Sequence, residues 1–245
     1  MSMQRVFITG VASGLGLALA QRFLAAGDTV GGCDLGSAPA GLPVGIDYRS
    51  ADVCDAEAMT HAIRDFADRH GGLDVVVANA GINMPKARVP DFGLARRVIE
   101  VNVIGVLNTL APAIAIMQSR GQGRLVVPGS IAGLNGLPGV AGYGASKAAV
   151  MNLCESLAVD LREDGIAVTM VAPGFIDTPL VRENRHPMPF LMSPEAAAAR
   201  IYQAIRRGRT RDVFPWPLAL LSAALQRLPR SWYRWIARVS PLRFR

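Results

Sequence analysis

The chain of 245 residues is 51% hydrophobic with a mean hydropathy of +0.27, enough for one large α/β domain or two small ones around a substantial core. Cys33, Cys54 and Cys154 are odd in number, scattered and without metal-type spacing, which excludes a disulfide framework and a cysteine-held metal and suggests free thiols in a reducing cytoplasm. The net charge of +7 is concentrated late: from Arg206 onward ten Arg stand against one acid, Asp212, a segment charge of +9 against −2 for residues 1–205.

Arg5-Val6-Phe7-Ile8-Thr9 predicts a short strand entering a Gly-rich turn, and 15–24 a helix with Gly27 suited to its end. No room for a signal peptide precedes that strand, so a cytoplasmic location is expected. Strands follow at 29–34 and around 44–48, and Asp55 is a good N-cap for a helix to about residue 69. The Val-rich run 73–78 reads as a buried strand, 91–119 as a long helix, 124–128 as strand, 143–162 as helix and 166–171 as strand. Two uncharged runs have the length of membrane spans. Residues 101–119 hold Asn102, Asn108 and Pro112, and residues 125–146 are broken by Gly129, Gly133, Gly136 and Gly139, so both are expected to be buried parts of a soluble fold. Strands that alternate with helices and are apolar throughout predict an α/β fold, a Rossmann-like doubly wound parallel sheet in three layers, α/β/α. The expected organisation is a single domain, residues 1–214, with a C-terminal helical tail, residues 215–245.

Gly10-Val11-Ala12-Ser13-Gly14-Leu15-Gly16 occupies the first strand-to-helix turn, where glycines let the backbone approach a pyrophosphate and the helix N-terminus favours its charge. The spacing is G-x-x-x-G-x-G. Asp34 ends the second strand, where a carboxylate can accept hydrogen bonds from adenosine ribose hydroxyls and would repel a 2′-phosphate. Neither Ser13 nor Leu35 supplies a compensating cation, so NAD is favoured over NADP. Tyr143 and Lys147 stand at i and i+4 and share a helical face, with Ser130 thirteen residues before the Tyr. An ammonium beside a phenol favours phenolate, so Lys147 is expected to lower the Tyr143 pKa into the range of acid–base work. Lys147 is one of two Lys, with Lys86, in a chain of 24 Arg, so a Lys in this apolar stretch calls for a specific reason. His61, His70 and His186 have neither partners nor ligand spacing, and no role is assigned to them.

With these motifs in this order the chain resembles the short-chain dehydrogenase/reductase family over roughly residues 5–180. The resemblance rests on the turn 9–16, Asp52-Val53, Asn79-Ala80-Gly81, Asn102, Ser130, Tyr143 with Lys147, and Pro173-Gly174 followed by Thr178. It implies that Tyr143 gives or takes the substrate proton, that Ser130 hydrogen-bonds the substrate oxygen, and that Lys147 lowers the Tyr pKa and holds the nicotinamide ribose. Asn102 would support a water-linked relay through Lys147. The cofactor would rest on Gly10, Ser13, Gly14, Leu15, Gly16 and Asp34, with Asp52 and Val53 bordering the adenine and Asn79, Ala80 and Gly81 behind it. Pro173, Gly174, Ile176 and Thr178 would line the nicotinamide end. No metal is implied. The implied activity is an NAD(H)-dependent interconversion of a secondary alcohol and a ketone by a homodimer or homotetramer built on the helices at 91–119 and 143–162. An epimerase or dehydratase on the same site, and a non-catalytic NAD(H)-binding protein, are the alternatives. Two departures stand out. Ala78 replaces the first Asn of the usual Asn-Asn-Ala-Gly, and Pro128-Gly129 precedes Ser130, where the Pro is expected to tilt the strand end.

The resemblance also implies a lid after Pro173-Gly174. Here it contains Phe175, Leu180, Met188, Pro189, Phe190, Leu191 and Met192, which suits an apolar alcohol or ketone. A last strand is expected at Asp212-Val213-Phe214. Beyond it Leu218, Leu221, Leu225 and Leu228 fall on one helical face. After Pro229, Trp232, Trp235, Ile236 and Val239 form an apolar stripe opposite Arg230, Arg234 and Arg238. Such a tail, residues 216–245, fits peripheral contact with the inner face of a membrane. It equally fits a helical pair that closes the substrate pocket or packs on another subunit. With no recognition motif among the Arg, no nucleic-acid partner is expected.

Overall fold

The computed structural model describes residues 3–85, 89–181 and 187–239, without the side chains of 238 and 239. The expectations attached to Lys86, His186, Arg243, Arg245 and the side chains of Arg238 and Val239 lie outside the described residues. Seven strands form one parallel sheet: β1 (Arg5–Thr9), β2 (Thr29–Asp34), β3 (Ile46–Ser50), β4 (Val75–Val77), β5 (Gly123–Pro128), β6 (Ile166–Pro173) and β7 (Arg211–Phe214). Their spatial order is β3-β2-β1-β4-β5-β6-β7, every pairing parallel. Chain direction across the sheet reverses between β1 and β4, and that switch point opens a crevice at the carboxyl ends of the strands.

The inner strands β1, β4, β5 and β6 are mostly apolar because both faces are covered, whereas the edge strands β3 and β7 carry charged residues. On β1, Phe7 joins one core with Phe66, Met117, Leu125 and Val150, while Val6 and Ile8 join another with Leu19, Phe23, Val126 and Ile201. The first core lies under α2 (Ala56–His70), α4 (Gly105–Arg120) and α5 (Ala141–Asp160) with α3 (Phe92–Ile99); the second lies under α1 (Gly14–Leu24) and α6 (Pro194–Arg206). Local chemistry sets the ends. Asp55 caps α2 by accepting from the Glu57 and Ala58 amides, and Gly71, at φ 71°, closes it in a left-handed conformation that favours glycine.

The expected long helix at 91–119 is interrupted by a π-helical turn, Glu100–Ile104, centred on Asn102. The run 92–120 has the length and hydropathy of a span, yet it packs against α2 and α5 in the helical layer on one face of the sheet. The expected strand at 44–48 begins at Ile46, after Gly45 at φ 102°. One helix was unforeseen: α6 starts at a Ser193 cap followed by Pro194, and buries Ala197, Ala198, Ile201, Ala204 and Ile205. The tail forms α7 (Trp216–Arg227) and α8 (Arg230–Val239). The late basic charge divides there. Arg209 pairs with Asp212, Arg211 with Glu155, and Arg206 donates to Gln4, so the Arg between 206 and 211 belong to the α6–β7 corner and not to the tail.

Candidate active site

A cleft of about 540 Å³ lies along the carboxyl ends of β1, β2, β4, β5 and β6, within the size range of small-molecule sites. At one end, Gly10 and Gly14 take φ of 68° and 52°, and a Cβ on Gly16 would sit 1.9 Å from the Gly10 carbonyl. Only glycine lets α1 close on this turn. Ser13 begins α1 with an exposed side chain that makes no cap hydrogen bond, and Leu15 lines the cleft beside it. The Asp34 carboxylate accepts from the Ala12 and Leu35 amides at 3.0 and 2.9 Å, which holds it at the rim of the turn. Asn79 donates to the Thr9 and Gly10 carbonyls and the Ala80 amide to the Thr9 hydroxyl, so the segment through Gly81 buttresses the turn from behind. Asp52 accepts from the Cys54 amide, which together with nearby Arg97 holds its carboxyl below the usual range despite partial burial. Val53 lies beside it in the wall.

At the other end Ser130, Tyr143 and Lys147 converge. Ser130 caps the 3-10 turn Ile131–Gly133, accepting from the Ala132 amide, and lies near enough to the Tyr143 phenol to oppose the upward shift that burial gives it. Lys147, 8% exposed, donates to the Pro128 carbonyl at 2.9 Å. Burial pulls its pKa down to about 8. Pro173, Gly174 and Ile176 form the wall after β6, and Thr178 packs back toward Gly14, where an added Cβ would come within 3.2 Å of it. A donor-rich glycine turn at a helix start, a strand-end carboxylate and a half-buried Tyr beside a buried Lys in one cleft fit a dinucleotide. Among the described residues no cluster of His, Cys, Asp and Glu is suited to hold a metal.

The short-chain dehydrogenase family model matches residues 4–189. The chain belongs to the short-chain dehydrogenase/reductase family. It is similar to an uncharacterized oxidoreductase of Myxococcus xanthus (strain DK1622), 37% identical over 238 residues that cover 94% of each chain. A cis-4-hydroxycyclohexanecarboxylate dehydrogenase of Sinomonas cyclohexanicum is 36% identical, covering 79% of this chain and 86% of its own. The crystal structure of a short-chain dehydrogenase from Streptomyces avermitilis superposes with a TM-score of 0.81 at 28% identity, covering 98% of both chains.

Within this family site, all the expected residues line the cleft except two. Gly16 lies beneath the turn, and Asn102 is fully buried behind the wall. The Asn102 amide is committed to the fold: Oδ1 accepts from the Ile82 amide, and Nδ2 donates to the Ile82 carbonyl and to Ser146 Oγ, which in turn donates to the Tyr143 carbonyl. Its side chain clamps the turn that carries Tyr143, and no described bond joins it to Lys147. The expectation for the Tyr pKa is corrected. Burial raises Tyr143 above its ordinary value, with Ser130 opposing, because the Lys147 ammonium is drawn to Pro128 and sits 5.8 Å from the centre of the Tyr ring. Pro128 does not tilt the strand end: it stays in register with Val171, and Gly129 donates to the Val171 carbonyl. Backbone direction alternates along the strand, so the Pro nitrogen points past the end of β4, where no ladder bond is lost.

Arg97 was not foreseen. It lines the cleft near Asp52, to which it comes within 3.6 Å, and pairs with Glu100 at 2.9 Å. Only its place one helical turn and a half before Asn102 could have signalled it. The tail also reaches the site. Asn135 donates to the Ser222 carbonyl, Gln226 to the Leu134 carbonyl and Tyr233 to the Gly136 carbonyl, so α7 and α8 are fastened to the loop that follows Ser130. The lid segment is closed at its base, where Asp177 and Met192 amides pair with Met192 and Phe175 carbonyls.

Proposed function

We propose that the chain is an NAD(H)-dependent oxidoreductase that interconverts an apolar secondary alcohol and its ketone. The observation that carries this reading is the convergence of Ser130, Tyr143 and Lys147 at one end of a cleft whose other end holds the glycine turn and Asp34. When bound, the nicotinamide supplies or accepts the hydride. Tyr143 gives its proton to the carbonyl oxygen in reduction and takes the hydroxyl proton in oxidation, so one hydride and one proton balance each turnover. Ser130 Oγ donates to the same oxygen and orients it. Lys147 holds the nicotinamide ribose and, as an ammonium, favours the phenolate once it is drawn toward the Tyr. Asn102 is a positioning residue for the Tyr143 turn. Asp34 receives the adenosine ribose hydroxyls and selects NAD.

The Sinomonas relative is named for a substrate whose hydroxyl sits on a ring carbon, which supports a secondary alcohol here. Leu180 in the cleft wall supports an apolar one. Homo-oligomerisation through the long helices is supported by exposed Ala145, Ala148 and Ala149 on α5 and by exposed Phe92, Ile104, Leu107 and Val159. Three free thiols fit a cytoplasmic setting. An NAD-coupled absorbance screen over secondary alcohols, with Tyr143→Phe as control, tests the function. Activity that survives the substitution overturns the mechanism, and turnover of small polar alcohols alone overturns the substrate class.

A further inference from the structure

Helices α7 and α8 turn one side toward the loop behind Ser130 and leave the other to solvent. On the outer side Trp216 and Leu220 stand four residues apart on α7 with Leu221 beside them, and Trp232 and Trp235 stand three apart on α8. These five side chains are between 54% and 69% exposed. Large apolar groups this exposed on two successive helices mark a contact surface more often than chance solvent exposure. Residues 213–245 contain six Arg and no acid. On α8, Arg230 and Arg234 occupy the helix face opposite the Trp pair. Trp rings settle at the headgroup level of a bilayer, and guanidinium groups at its edge pair with lipid phosphates.

We propose that the α7–α8 pair is an in-plane docking surface for an anionic lipid bilayer, and that docking holds the loop after Ser130 one helix layer from the membrane, next to a lipid-phase supply of the alcohol or ketone. The second half rests on the reading of the substrate as an apolar alcohol or ketone; the docking itself does not. A second copy of the chain is the poorer occupant, since it would bring together two such segments, each with six Arg and no acid, whose like charges repel.

All three Trp of the chain lie on these helices, so intrinsic Trp fluorescence reports on the tail alone. The full chain, titrated with vesicles of equimolar phosphatidylcholine and phosphatidylglycerol, is expected to shift its emission to the blue and to co-sediment. Partitioning falls about tenfold or more in phosphatidylcholine alone and weakens with added salt. The paired variants Trp232→Ala/Trp235→Ala and Arg230→Gln/Arg234→Gln each lose about tenfold in partitioning, while NADH binding by calorimetry is unchanged. No spectral shift, or equal partitioning into neutral and anionic vesicles, overturns the proposal. So does a blue shift that grows with protein concentration without vesicles, together with a doubled mass in sedimentation, because a second copy then covers the Trp face. NADH calorimetry separates the two readings. Its failure in the unmodified chain removes the catalytic assignment and leaves docking, whereas vesicle binding that fails in a chain that still binds NADH removes docking alone.

Discussion

The Lys147 ammonium is bound to the Pro128 carbonyl, 2.9 Å away, and no described carboxylate neutralises it. A buried cation held by one neutral acceptor is an electrostatic liability, and its pKa of about 8 measures that cost. Lys147→Met is therefore expected to raise thermal stability at pH 7, by roughly 1–3 kcal/mol, while it abolishes turnover. The sign follows from linkage: between about 8 and the ordinary Lys value the unfolded chain binds the extra proton, so the native state gains stability as pH rises through that window. The advantage of the Met variant shrinks over the same window and vanishes above it. Unfolding followed by circular dichroism from pH 7 to 10 checks both parts, and a Met variant less stable at pH 7 contradicts them.

Asn102 and Tyr143 separate position from chemistry. Tyr143→Phe removes the proposed acid–base group at little structural cost, and turnover falls about 10²-fold to 10⁴-fold with the melting temperature nearly unchanged. Asn102→Ala strands the Ile82 amide and carbonyl and frees Ser146, a loss of about 2–4 kcal/mol. Its kcat drops with stability, while the shape of its pH–rate profile stays that of the parent. In the parent, alcohol oxidation is expected to rise with pH, because burial holds the Tyr143 proton more tightly than in water and the base form appears only as pH climbs. A profile that falls with pH, or one reshaped in Asn102→Ala, argues against these roles.

Asp34 is held by the Ala12 and Leu35 amides, so its charge is fixed at the rim of the glycine turn, where the proposed function puts the adenosine ribose. Asp34→Ala is expected to weaken NADH by about tenfold and to strengthen NADPH relative to it, since the repulsion of a 2′-phosphate is removed. Fluorescence titration of both reduced nucleotides measures the change. Tighter NADPH than NADH in the unmodified chain would falsify the cofactor assignment.

The bonds from Asn135 to Ser222 and from Gln226 to Leu134 tie the loop that follows Ser130 to α7. Asn135→Ala and Gln226→Ala remove one anchor each and are expected to raise KM for the organic substrate several-fold, with NADH affinity unaltered. Each truncation also costs about 1 kcal/mol of stability. Equal loss of NADH affinity would mean that the loop supports the cofactor instead.

Much of this was legible in the residues. Apolar strands with no alternation announced a sheet covered on both faces, and Asp55 announced a helix start through an oxygen that accepts two amides. The site was legible because glycines, Asp34 and the Tyr143–Lys147 pair carry chemistry in their types and order. What stayed hidden depends on three-dimensional surroundings. Spacing put Lys147 near Tyr143 but could not weigh burial against charge, so the direction of the Tyr shift came out reversed. Arg97 reaches Asp52 across a helix–loop contact that no local pattern encodes. Helix α6 was passed over although Ser193-Pro194 is a ready start signal, because its Ala-rich face gives little apolar contrast.

The tail's three bonds to the loop at 134–136 span 87, 92 and 97 positions along the chain. During synthesis, then, the glycine turn and the residues through Lys147 emerge well before the loop at 134–136 has its anchors. A nascent chain that has emerged through α5 possesses Ser130, Tyr143 and Lys147 but not the helices that steady the loop beside them. Anchoring of the loop beside the cleft is thereby tied to the synthesis of α7 and α8.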